Sequence, residues 1–227
     1  MTKPVQKSIT TFFMAFFSIV MLGGCIVHVG SGKANASIDG YGNYSEVNKS
    51  LRISEGRTVG DVSSVNGGLT IEDNVVAEDV TSVNGRLRVG ENVTVDELST
   101  VNGRLSAGEG LTANDDVSTV NGKIDLNANT TVKGNVSTVN GNIDLTSVLV
   151  EKNLETVNAS ILLSGNTHIK GDIRYNGKNR NNDRWNKNNP KLTIEKGVKV
   201  DGQIIIEQEV DFDFADESMM DKVVRNY

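Results

Sequence analysis

Apolar residues in this chain return at intervals of 18 and 19 residues, and the tripeptide Val-Asn-Gly marks the beat. Its valine position falls at Val47, Val65, Val83, Val101, Val120, Val139 and Val157, in steps of 18, 18, 18, 19, 19 and 18 residues. Within one period the aliphatic positions run Val80, Val83, Leu87, Val89, Val93, Val95 and Leu98; the next gives Leu98, Val101, Leu105, Ala107, Leu111, Ala113 and Val117. Residues two apart share one face of a strand, whereas wider gaps mark a strand interrupted by a corner. The pattern predicts coils of three very short strands, with these side chains, the repeating valine included, directed at a common axis. One such coil is too small to bury a core by itself and must stack on its neighbours.

The fold class is therefore all-β: a single-stranded parallel β-helix, or solenoid, of about eight triangular coils of 18–19 residues. Tyr44, Val47, Leu51, Ile53, Val59 and Val62 extend the template upstream, and Leu192, Ile194, Val198, Val200 and Ile204 extend it downstream, placing the solenoid at 44–206. The extra residue of a longer coil falls in a corner, as Asp96-Glu97 against Asn114-Asp115-Asp116 shows. A two-residue hairpin turn is the other reading of Asn-Gly. It requires alternation on both sides of the turn, which Ser-Thr-Val breaks.

The asparagines Asn48, Asn66, Asn84, Asn102, Asn121, Asn140 and Asn158 form one column, in which stacked amides can hydrogen-bond from coil to coil. Asparagine and glycine both tolerate positive φ, so the motif reads as a sharp corner. Lys49 and Ala159 replace the glycine, which assigns the left-handed residue to asparagine. The preceding Ser64, Ser82, Thr100, Thr119, Thr138 and Thr156 form a hydroxyl ladder, too narrow for an ice-binding face.

The ends of the chain have a different character. Lys3 and Lys7, the apolar stretch from Ile9 to Leu22, and Leu22-Gly23-Gly24-Cys25 read as a signal peptide over 1–24. The tetrapeptide resembles the bacterial lipobox, which implies lipidation of Cys25, the single cysteine of the chain. A retained membrane-spanning helix reaching Val29 is the alternative. Residues 25–43 form a flexible tether rich in Gly, Ser, Ala and Asn, and 207–227 a C-terminal cap of a strand and a short helix. The expected location is exported and membrane-anchored, periplasmic or surface-facing; Ile26, in place of aspartate, points to the outer membrane. Loss of Lys3 and Lys7 moves the formal net charge from −6 to −8, which argues against nucleic acid as a partner.

Candidate chemistry is sparse. Neither histidine, His28 or His168, has a partner at ligand spacing, no catalytic constellation is legible, and no cofactor is expected. Glu55, Asp73, Glu91 and Glu109 fall in register and suggest a weak divalent-cation column; Asp61, Asp79, Asp96 and Asp115 crowd a second corner. Arg86, Arg104 and Lys123 follow Asn-Gly in successive coils, with Arg88 beside them, and read as surface charge or an anion or glycan site. The inserted loop 178–190 carries Trp185 among Arg180, Arg184 and Lys187, a grouping suited to a sugar or an anionic partner.

Written as Ser/Thr-Val-Asn-Gly-x-Leu/Ile-x-Val/Leu, the repeat over 44–206 resembles the bacterial adhesin-like β-repeat domains of unassigned function and, more distantly, the polymer-forming bactofilins. The first resemblance implies surface exposure and binding. The second implies a right-handed triangular helix that assembles end to end, although bactofilins are cytoplasmic and this chain carries an export signal. The expectation is a non-enzymatic, lipid-anchored envelope protein serving as a scaffold or binding surface for an envelope protein or glycan. A self-associating structural element and, more distantly, a polysaccharide-active enzyme are the alternatives.

Overall fold

The computed structural model describes residues 41–177 and 189–227. Their strands form three parallel sheets that wrap one core as a β-solenoid of about nine stacked coils. The first sheet has ten strands and begins at Tyr44–Val47, the second has nine and begins at Leu51–Ile53, and the third has six from Thr94–Val95 onward. Bridges from Thr58 to Val76 and from Val76 to Thr94 carry the third sheet's line into the earlier coils.

Register follows the sequence period. In the first sheet Val62 faces Val80, Val80 faces Leu98, and Leu98 faces Val117. The 19-residue step from Leu98 to Val117 coincides with an 18-residue step from Val95 to Ala113, so the additional residue lies in the corner between the third and first sheets. Beyond the insertion the pairing resumes in phase, with Ile173 opposite Ile204 and Ile161 opposite Leu192.

The core consists of aliphatic columns one coil apart. Leu69, Leu87, Leu105, Ile124 and Ile143 are fully buried, as are Val80, Leu98, Val117 and Val136. The repeating valine does not belong to these columns: Val47 is 59% exposed, and Val65, Val83, Val101, Val120, Val139 and Val157 are half-buried. Alternation explains the correction. The first-sheet strand continues to the asparagine, so Val80 and Ser82 point inward while Thr81 and Val83 point outward. The hydroxyl ladder is therefore an internal column.

The left-handed corner also lies elsewhere than expected. One residue per coil after the second sheet has positive φ: Gly56, Asn74, Asn92, Gly110, Asn129, Ser147, Gly165 and Gly197. At the Val-Asn-Gly corner only Asn48, Asn66 and Gly141 do so among the described residues. The glycines there answer to crowding. A Cβ on Gly103 would collide with the carbonyl oxygen of Gly85, and one on Gly122 with that of Gly103. Lys49 is tolerated in the first coil, where the described chain places no earlier coil against it.

After residue 206, Asp211–Phe214 adds to the second sheet and Val223–Arg225 to the first, with a 3-10 helix, Glu217–Lys222, between them. Phe212 and Phe214 pack on the core with ring centroids 5.2 Å apart, and the Arg225 guanidinium lies 5.8 Å from the Phe212 centroid.

Candidate functional site

Stacking turns each outward sequence position into a column, and the columns are the chemical features of this molecule. Along the Asn-Gly corner, the Nδ2 of Asn66, Asn84, Asn102, Asn121, Asn140 and Asn158 each donates to the Oδ1 of the asparagine one coil earlier, at 2.8–3.0 Å. Asn48 accepts the first of these bonds. All seven side chains are exposed. Each amide retains one N–H and acceptor capacity for solvent or a ligand.

Next to this ladder lies a basic column. Leu69, Leu87 and Leu105 donate their N–H groups to the carbonyls of Arg86, Arg104 and Lys123, which fixes those three residues on successive coils. Lys123 is neutralised, with its Nζ 3.0 Å from Asp125 and 2.5 Å from Asp144. Arg86, Arg88 and Arg104 are exposed.

Inside the same corner, the ends of the hydroxyl column are satisfied: Ser64 donates to the Gly67 carbonyl at 3.1 Å, and Thr156 accepts the Ala159 N–H at 3.0 Å. That last bond fits the local path of the one late coil where alanine replaces glycine. Between them the hydroxyls of Ser82, Thr100, Thr119 and Thr138 are buried with no hydrogen-bond partner among the described residues. Tyr175 stacks on Thr156, and burial pushes its phenol pKa far up.

The carboxylates Glu55, Asp73, Glu91 and Glu109 occupy successive coils, and those of Glu55 and Asp73 accept from neighbouring N–H groups. Asp73 accepts from the Glu91 backbone at 2.8 Å, and Glu55 from the Asn74 side chain at 3.2 Å. Among the described residues no group of three or more His, Cys, Asp or Glu side chains is placed to hold a metal ion. His168 bonds Asp201 at 2.8 Å; Lys199 and then His168 hold that carboxyl below its usual range.

The second acidic corner resolves into two columns, which the sequence reading merged. Glu78, Asp96 and Asp115 form one, linked by Asp96 N–H to Glu78 and Asp115 N–H to Asp96. The other precedes the first-sheet strands: Asn43, Asp61, Asp79, Glu97, Asp116, Asn135, Asn153, Asp172 and Gln203. At both ends of this seam a side-chain oxygen accepts the next coil's backbone N–H. Asp61 donates to Asn43 at 3.1 Å, Asn135 to Asp116 at 2.6 Å, Asn153 to Asn135 at 3.1 Å, Asp172 to Asn153 at 2.9 Å, and Gln203 to Asp172 at 2.9 Å. No such bond links Asp61, Asp79, Glu97 and Asp116 among the described residues. Burial, then Asp79, Asp116 and Asp115, pushes the Glu97 carboxyl from 4.5 to about 7. Asp79 is raised by burial and by Asp61, Asp96 and Glu78; Asp116 is raised mainly by burial, opposed by its bond from Asn135.

Cys25, the expected signal segment 1–24, and Trp185, Arg180, Arg184 and Lys187 lie outside the described residues. No described helix is long and apolar enough to cross a membrane. The fold and its columns define a three-sided parallel β-solenoid. Comparison of the chain with protein-family models, curated proteins and solved structures gives no match.

Proposed function

We propose that this chain is a non-enzymatic, lipid-anchored cell-envelope protein whose solenoid is a rigid scaffold presenting a binding surface. The supporting observation is the unbroken register of its parallel ladders, which repeats outward side chains in straight columns. Such an array suits an extended partner that makes the same contact several times. The anchor rests on Leu22-Gly23-Gly24-Cys25 after a basic and apolar leader, and Ile26 favours the outer membrane. The adhesin-like resemblance of the repeat agrees with exposure and binding.

Two measurements test this reading. Fatty-acid labelling should mark the protein and vanish in Cys25→Ala; persistent labelling removes the anchor. A photocrosslinker at position 185 should capture one reproducible envelope partner in living cells. Failure to capture any partner there or from the second-sheet face leaves no support for a binding surface.

A further inference from the structure

We infer that Arg86, Arg88 and Arg104 form a binding patch for an acidic polysaccharide bearing carboxylates. This deepens the binding-surface reading and rests on it. The first observation is a contrast among cations. Arg52 pairs with Glu72, Arg174 with Asp172, Lys123 with two aspartates, and Arg225 lies over Phe212. Among the described residues the guanidinium groups of Arg86, Arg88 and Arg104 make no ion pair, hydrogen bond or ring contact. They sit together on two adjacent coils of a chain with net charge −6.

The second observation is spacing. Arg86 and Arg104 share a column, so their backbones are separated by roughly 4.8 Å, and Arg86 and Arg88 are about 6.8 Å apart along one strand. Arg88 lies between Thr70 and Ser106, neutral residues that leave its charge uncompensated. Asn84 and Asn102 stand beside the patch with exposed amides. Three planar cations flanked by amides and hydroxyls match a chain that alternates carboxylates with hydroxyl groups, because guanidinium binds carboxylate through two parallel hydrogen bonds.

Other macromolecules fit less well. No aromatic side chain stands in these columns to stack a nucleobase. The exposed large apolar residues, Tyr41, Val47, Val76, Met220 and Tyr227, lie outside the patch, which lacks the apolar centre of a protein interface.

The test uses the full-length protein in detergent with polygalacturonate as probe, neutral dextran as control, and single-stranded DNA as competitor. Wild type should bind polygalacturonate in preference to dextran and weaken as salt rises. Replacing all three arginines by glutamine should reduce binding at least tenfold. Replacing them by lysine should restore only part of it, because charge returns without the fork. The equal charge change at Lys133, Lys196 and Lys222 should leave binding within twofold. Equal binding by the arginine-less variant, equal loss in the lysine control, no preference over dextran, or full displacement by DNA each overturns the inference. Crosslinking to a different partner would then leave the scaffold reading standing alone.

Discussion

Glu97→Gln should stabilise the solenoid at alkaline pH and do little at acidic pH. Glu97 is half-buried in the seam, between Asp79 and Asp116, and its carboxyl is pushed from 4.5 to about 7. At 1.36 kcal/mol per unit that displacement corresponds to roughly 3 kcal/mol, which solvent screening at a partly exposed site reduces to about 1–2 kcal/mol. The folded state binds this proton more tightly than the unfolded chain. Its stabilising contribution is therefore complete below about 4.5 and lost as pH rises through about 7. Glutamine is neutral throughout, so the variant should exceed wild type by about 1–2 kcal/mol at pH 8 and by less than about 0.5 kcal/mol at pH 4. For a chain of this size that is a melting increment of about 3–6 °C at the higher pH. Circular-dichroism melts of both proteins at the two pH values provide the assay. High salt should shrink the part due to Asp79, Asp116 and Asp115 and leave the part due to burial. An increment equal at both pH values, or a loss at pH 8, would refute the account of the seam.

Thr100→Val should be neutral or stabilising by up to about 1 kcal/mol, because its buried hydroxyl has no partner, whereas Thr156→Val should cost about 1 kcal/mol with the Ala159 bond lost; urea titrations decide, and a large loss at Thr100 would show an unrecognised bond there. Gly103→Ala should cost about 1–3 kcal/mol by driving a Cβ into the Gly85 carbonyl, again read from urea midpoints, and an unchanged midpoint would contradict the close corner packing. Removing residues 83–100, one whole coil, should leave a shortened folded protein, while removing nine residues from the same region should not; equal melting behaviour of the two deletions would contradict the register.

The stack was legible because its period is written in side chains that must all face one axis, such as Leu87, Leu105 and Ile124. The insertion was legible for the same reason, since Leu192 resumes the phase. The valine of Val-Asn-Gly misled because conspicuous apolar residues need not be core residues. Val83 shields the outer edge of the sheet while Ser82, the less apolar residue, faces inward. The positive-φ corner had a signal in Gly56, Asn74, Asn92 and Gly110, but the louder Asn-Gly dipeptide drew the assignment away from it. The Glu97 seam was harder to find. Its members are Asn, Asp, Glu and Gln, alike only in offering a side-chain oxygen, and a corner insertion puts Asp116 out of step with the count from Asp96.

Lys49 gives the solenoid a beginning. From Gly67 to Gly141 the residue behind the corner asparagine is a glycine whose missing Cβ would meet the preceding turn's carbonyl oxygen, and at position 49 a side chain is present. A second copy seated beneath the first coil in unbroken register would bring a carbonyl oxygen onto that Cβ. The same crowding that holds neighbouring turns together thus makes this end a poor seat for another molecule. It argues against in-register growth from the first coil.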